Sequence, residues 1–189
     1  MAAQVELRVP MKLALLGQGV KAGLKREILV TAIVLAMTYA ISESRDIAAP
    51  AEKVWGLVSD LPGLGEYSPE NAGGEWCNGA TGPSVGAIFT GRNKNGLRRW
   101  KTSATVVECE VGKVFEIAIS SGPMPVSSWR YEFKDTDGGC QVTESWDDRR
   151  ATWMRIVTRP LGSHDAAHAK GEMAATLANL ARAVEGASR

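Results

Sequence analysis

Cysteine is scarce in this chain and badly placed for cross-linking. Cys77, Cys109 and Cys140 are odd in number, far apart and without a C-x-x-C pair. That spacing argues against a disulfide framework and a structural zinc site, and for reduced thiols in or near a core. Histidine is scarcer still. With only His164 and His168, a Ser-His-Asp or Cys-His mechanism has almost no base to use. An excess of one charge is also missing: 22 Lys and Arg meet 21 Asp and Glu, a formal net charge of +1, with no long basic run. Nothing therefore draws the protein toward nucleic acid or an anionic membrane. No N-x-[ST] acceptor occurs either, which fits a cytosolic protein.

Long hydrophobic runs are absent as well. The apolar segment Ile28–Met37 follows Lys21, Lys25 and Arg26 in the manner of a signal-peptide core. It is too short for a membrane span of about 20 apolar residues. A small-residue cleavage site near Ala40 would cut into the first expected strand. Residues 1–36 are therefore expected to be an N-terminal extension of a cytoplasmic protein. Export or bilayer association through residues 28–37 is the alternative, and a native start at Met37 is a third reading. Gly17-Gln18-Gly19-Val20-Lys21-Ala22 fits a dinucleotide-binding glycine pattern, but that pattern has meaning only within a βαβ unit. The chain turns to antiparallel strands instead, so no cofactor is expected.

What the sequence does contain, from residue 37 on, is a regular run of strand and turn signals. Tyr39–Ile47 reads as a first strand, and Ala51–Val58 as a short helix with Pro50 at its start. After breaks at Leu61-Pro62-Gly63 and Tyr67-Ser68-Pro69, strands are expected at Glu70–Cys77, Gly86–Asn93, Leu97–Glu108, Lys113–Ser120, Val126–Lys134 and Gln141–Asp148. Asn95-Gly96 and Asp137-Gly138-Gly139 are hairpin turns. Gly82-Pro83-Ser84-Val85-Gly86 matches G-x-S-x-G, but a strand follows where a nucleophile elbow needs a helix. Asp165–Glu185 carries a helical apolar stripe and is capped by Ser163 or Asp165. The layout is α+β: a curved antiparallel sheet of about six or seven strands with one long C-terminal helix. Such a sheet tends to leave a cavity beneath its helix.

Alternation assigns the faces. Trp129, Tyr131 and Phe133 share one face of their strand. Phe115, Ile117 and Ile119 share another, as do Trp100, Thr102, Ala104 and Val106, and Val142, Glu144 and Trp146. Tryptophan outnumbers each other aromatic, six against three Phe and three Tyr. Trp100, Trp129 and Trp146 all face inward and suit the wall of an apolar pocket with a few polar anchors. Glu144, between Val142 and Trp146, either anchors or deprotonates a ligand from inside, or pairs with an arginine or points outward past a bulge. Asn93, two alternations after Phe89, is a neutral anchor candidate. His164, His168 and Glu172 lie at helical spacing, and they read as polar residues at a helix start rather than as a metal site.

The chain from Tyr39 to Glu185 resembles the START-related, birch-pollen-allergen-like (SRPBCC) superfamily, and within it the polyketide cyclase/dehydrase-type proteins of actinobacteria. The resemblance rests on Ser44-Arg45-Asp46-Ile47-Ala48-Ala49-Pro50-Ala51-Glu52-Lys53-Val54-Trp55, on Ile88-Phe89-Thr90-Gly91-Arg92-Asn93 with Trp100, and on Trp129-Arg130-Tyr131. Gly138-Gly139-Cys140-Gln141-Val142-Thr143-Glu144-Ser145-Trp146 and Met173-Ala174-Ala175-Thr176-Leu177-Ala178-Asn179-Leu180 complete it. It implies a helix-grip fold around a hydrophobic cavity. It does not imply chemistry, because members include aromatase/cyclases, lipid carriers, hormone receptors and quinone-binding proteins. The expected function is that of a carrier or sensor for a lipid, polyketide or similar apolar molecule. Its cavity would be lined by Phe89, Asn93, Trp100, Phe115, Ile117, Trp129, Tyr131 and Trp146. The alternative is a cyclase/dehydrase-like enzyme with Glu144, Tyr131 and Arg98 as acid-base and anchoring groups, without metal. The sequence does not reach the oligomeric state.

Overall fold

The computed structural model describes residues 41–158 and 166–186. The extension, the glycine pattern at 17–22, the apolar segment 28–37, the proposed caps Ser163 and Asp165, and His164 lie outside them. Seven strands form one antiparallel sheet: β1 (Ile41–Ile47), β2 (Asn71–Trp76), β3 (Ile88–Asn95), β4 (Arg98–Glu110), β5 (Val114–Ser121), β6 (Met124–Thr136) and β7 (Gly139–Asp148). Their spatial order is β1-β7-β6-β5-β4-β3-β2. Consecutive strands from β2 to β7 are hairpin neighbours, and β1 closes the far edge against β7.

Helix α1 (Ala51–Ser59) leaves β1 through Pro50, and a 3₁₀ turn at Leu64–Glu66 leads into β2. Helix α2 (Thr152–Thr158) follows β7, and the long helix α3 (Ala166–Gly186) ends the described chain, packing on β1, β7 and α1. The layout is the α+β helix-grip architecture that the alternation and turn signals describe. No helix among the described residues is long and apolar enough to cross a membrane.

Two features of the sheet could not be read from alternation. Irregularities in pairing at Val106/Glu108 and at Ile119/Ser120 act as bulges, each moving its strand half a pleat out of step. The first leaves Val107 and Glu108 both exposed, and the second leaves Ser127 and Ser128 both buried on β6. The turn into β7 depends on Gly139. Its φ is +145°, and a Cβ there would lie 2.2 Å from the Ile47 carbonyl oxygen and 2.6 Å from the Ala49 nitrogen. Helix α2 was missed because its only buried residue is Met154, so it offers no apolar stripe to find.

The concave face divides along its length. At one end Val54 and Val58 of α1 and Leu177, Leu180, Ala181 and Val184 of α3 pack on Phe115, Phe133, Val106 and Val142 in one closed core. At the other end Met173 of α3 packs with Ala169 and Trp146 in a smaller cluster, and beside it α3 turns only Ala169, Thr176 and the polar His168 and Glu172 toward the sheet. Small and polar residues cannot fill the space over a curved sheet, and a cavity remains.

Candidate functional site

The cavity has a volume of about 170 Å³. Its apolar wall comes from Trp100 of β4, Ile117 and Ile119 of β5, Val126 and Trp129 of β6, Trp146 of β7 and Leu64 of the 3₁₀ turn. Strand register builds that wall. Ile117 lies opposite Trp129, and Trp129 opposite Trp146. The two indoles meet at 6.4 Å between ring centroids, tilted by 58°.

One row further along the same face, Tyr131 lies opposite Glu144. The Tyr131 hydroxyl donates to Glu144 Oε1 at 2.5 Å. Both residues are buried, at 4% and 2% exposure, and both line the cavity. Glu144 Oε2 is buried with no hydrogen-bond partner. Burial pushes the Glu144 carboxyl up to about 8, the nearby Glu172 charge adds to this, and the Tyr131 hydrogen bond opposes it. Burial and the Glu144 charge hold the Tyr131 phenol well above the ordinary tyrosine range. At neutral pH the pair is therefore a phenol and a mostly neutral carboxylic acid. With Oε1 engaged by Tyr131, the acid's proton belongs on the unpartnered Oε2.

Of the residues singled out from the sequence, Asn93, Trp100, Ile117, Trp129, Tyr131, Glu144 and Trp146 all line this one cavity. Asn93 Nδ2 donates to Thr102 Oγ1 at 2.9 Å, which fixes the amide on the β3–β4 wall. Three residues are placed elsewhere. Phe89 is buried in the closed core, edge-on to Trp76 at 5.4 Å. Phe115 is likewise in the core, edge-on to Trp55 of α1 at 6.3 Å. Both lie on the predicted face but at its closed end, a distinction along the strand that parity cannot make. Arg98 sits at the tip of the β3–β4 hairpin opposite Asn95, exposed and outside the cavity lining.

Sequence reasoning missed Glu70, which immediately precedes β2 and meets His168 of α3, Nε2 to Oε1, at 2.9 Å. It also missed Arg150, which lines the cavity while gripping Asp148 through two 2.8 Å hydrogen bonds from Nε and Nη2. These hydrogen bonds and the Arg150 charge keep the Asp148 carboxyl below its ordinary range, against a contrary effect of burial. Arg150 was legible only as one of a basic pair after a strand. Glu70 had no signal at all, because its partner is 98 residues away.

Comparison with known proteins gives the family. The sequence pattern of the family described as polyketide cyclase/dehydrase and lipid transport matches residues 38–185. The chain belongs to this family. Among solved structures, the Polyketide_cyc-like protein Cgl2372 of Corynebacterium glutamicum is 32% identical. The match covers 77% of this chain and 90% of that one, with a TM-score of 0.50. The AHSA1-like protein of Aeromonas hydrophila shares the fold at 21% identity and TM-score 0.56, over 78% and 93% of the two chains. The di-domain ARO/CYC StfQ of the steffimycin biosynthetic pathway shares it at 14% identity and TM-score 0.59, over 77% of this chain and 44% of that protein. A search of curated proteins returns no match. The polyketide cyclase/dehydrase and lipid transport family thus sets the fold and a ligand-cavity setting, and the chemistry of this member rests on its own side chains.

Proposed function

We propose that this family member binds an apolar small molecule carrying a hydrogen-bond-accepting oxygen, as a carrier or sensor, with the oxygen held by Glu144. The observation that carries this reading is the pairing of an indole-walled cavity with Glu144, an acid 2% exposed whose second oxygen has no partner. An acid kept neutral by burial is a hydrogen-bond donor at pH 7, and a ligand carbonyl or ether oxygen supplies the missing acceptor. Leaving that group unsatisfied costs about 1–3 kcal/mol, so a matching ligand recovers free energy that a hydrocarbon does not.

Size limits the ligand. A dry apolar cavity of about 150 Å³ holds one benzene ring, whereas drug-sized ligands occupy about 300–1,000 Å³. A volume of about 170 Å³ therefore encloses one ring or a short acyl segment, and a longer lipid or polyketide would place only one end there. The three cysteines are unpaired, which supports a reducing, cytosolic setting for this role.

A cyclase-type enzyme is the second reading, and the Tyr131–Glu144 pair favours it. A carboxyl that titrates near 8 is suited to pass protons to and from a polyketone carbonyl at neutral pH. One experiment separates the two. The native protein is isolated from cells that express it, and native mass spectrometry identifies the molecule it retains. That molecule is then offered to wild type and to Glu144→Gln. Release of the molecule unchanged, with comparable affinity in both proteins, supports the carrier. Conversion by wild type but not by the variant supports the enzyme. Retention of nothing, and no uptake of one-ring ketones, refutes both.

A further inference from the structure

We propose that Glu70, His168 and Glu172 form a binding site for a divalent transition-metal ion of the zinc type at the polar edge of the cavity. This inference goes beyond the ligand reading and does not depend on it. The three side chains come from two elements: Glu70 from the segment entering β2, and His168 and Glu172 from successive turns of α3. Residues four apart on a helix project from one face. One donor atom from each of the three lies within 4.8 Å of the others. Around a four-coordinate zinc with bonds of about 2.1 Å, ligand atoms stand about 3.4 Å apart, so small side-chain rotations close the set.

Charge and hydrogen bonding point to a cation rather than to an ion pair alone. The His168–Glu70 contact at 2.9 Å accounts for one carboxylate if the imidazole is protonated. It leaves Glu172, whose Oε2 is buried without a partner. A carboxylate oxygen can be satisfied only by a donor or a cation. Arg150, a guanidinium in the same lining, grips Asp148 through two hydrogen bonds.

The surroundings also orient the three donors. Asn95 Nδ2 donates to Glu70 Oε1 at 2.9 Å, and the Glu70 backbone N–H donates to Glu172. Such outer contacts are what hold metal ligands in place. One imidazole nitrogen with carboxylate oxygens is a borderline donor set, suited to Zn²⁺, Co²⁺ or Mn²⁺ rather than to thiolate-seeking ions. Three protein ligands leave a fourth position open, as in zinc sites that bind a water or substrate oxygen. Because all three residues line the cavity, an oxygen of a bound molecule can reach that position.

The test uses the full chain, stripped of metal with a chelator and titrated with Co²⁺ alone. Binding is followed by visible absorption and by calorimetry, and Zn²⁺ is added as competitor. The expected result is one equivalent of Co²⁺ with ligand-field bands, displaced by Zn²⁺. His168→Ala and Glu172→Gln should each weaken it by about 100-fold or more, with unchanged circular dichroism. Glu70→Gln, on a separate element, should give the same loss, so the outcome does not hang on one helix variant. The proposal is overturned if wild type shows no saturable binding at millimolar Co²⁺. It is equally overturned if binding survives all three substitutions, or if a thiolate-to-cobalt charge-transfer band places the ion on cysteine.

Discussion

Glu144 should make this protein lose stability as pH rises through neutrality, which is the reverse of the usual carboxylate effect. In the unfolded chain its carboxyl ionises near 4.5, whereas burial holds it protonated in the native state up to about 8. Between those values the native state carries the extra proton, so unfolding releases it and stability falls with increasing pH. Below 4.5 both states are protonated, and above 8 both are ionised, so the contribution is flat outside the window. The gap between 4.5 and about 8, at about 1.4 kcal/mol per pH unit, sets an upper bound on the order of 5 kcal/mol. For a domain of this size that bound corresponds to about 10–20 °C in Tm.

Glu144→Gln removes the titration while keeping a carbonyl for the Tyr131 hydroxyl and an N–H where the acid's O–H was. The Glu172 carboxyl is also raised, but it is common to both proteins and largely cancels in their difference. The assay is urea denaturation of wild type and Glu144→Gln from pH 5 to 8.5, on chelator-treated protein because a bound cation would itself lower nearby proton affinities. The two should agree to about 1 kcal/mol near pH 5 and diverge steadily toward pH 8, with the variant the more stable. Parallel curves across this range would refute the reasoning, because they would mean that Glu144 titrates as an ordinary exposed carboxyl.

Three further outcomes follow from the packing. Gly139→Ala should cost about 3 kcal/mol or more, because its Cβ would run into the Ile47 and Ala49 backbone; a Tm within a few degrees of wild type would show that the turn relaxes freely. Arg130, largely covered, bridges Glu108 at 2.5 Å and Glu116 at 2.9 Å on the outer face. Arg130→Ala should lower stability by about 2–3 kcal/mol by stranding Glu116, measured by denaturant midpoint, while leaving ligand affinity unchanged. Trp129→Ala should enlarge the cavity and weaken uptake of one-ring ligands while admitting two-ring ones, read by calorimetry with acetophenone and acetonaphthone. An unchanged preference would place the ligand away from the indole wall.

Sequence pattern located the sheet and its faces because each β-hairpin is a local event. Asn95-Gly96 and Gly138-Gly139 mark reversals where they stand, and period-two alternation then fixes which side chains share a surface. The Trp129, Tyr131 and Glu144 constellation was legible for that reason, since it needs only correct parity on two adjacent strands. Depth along the concave face was not legible. Phe115 and Tyr131 lie directly opposite each other on paired strands, yet one meets α1 and the other meets the cavity, and only the path of the helices decides which. The bulge at Val106/Glu108 carries no glycine or proline marker, and the one at Ile119/Ser120 falls where Ser120 pairs with Pro125, just ahead of the strand expected from Val126. Glu70 was invisible because its role depends on where α3 lands, a contact between distant parts of the chain.

The central claim is that the cavity recognises an apolar ligand through an oxygen bound to Glu144, and a matched pair of ligands tests it most directly. Acetophenone and ethylbenzene differ little in shape, but only the ketone accepts a hydrogen bond. Calorimetric titration of wild type at pH 6.5 should show acetophenone binding about tenfold more tightly, the equivalent of one net hydrogen bond of about 1.4 kcal/mol. The double substitution Tyr131→Phe/Glu144→Leu replaces both polar partners with apolar groups, an exchange that folded proteins tolerate well. It should bind the two ligands equally. Equal affinity in wild type, or failure of both ligands to bind, would contradict the account and leave the cavity as a packing feature of the fold.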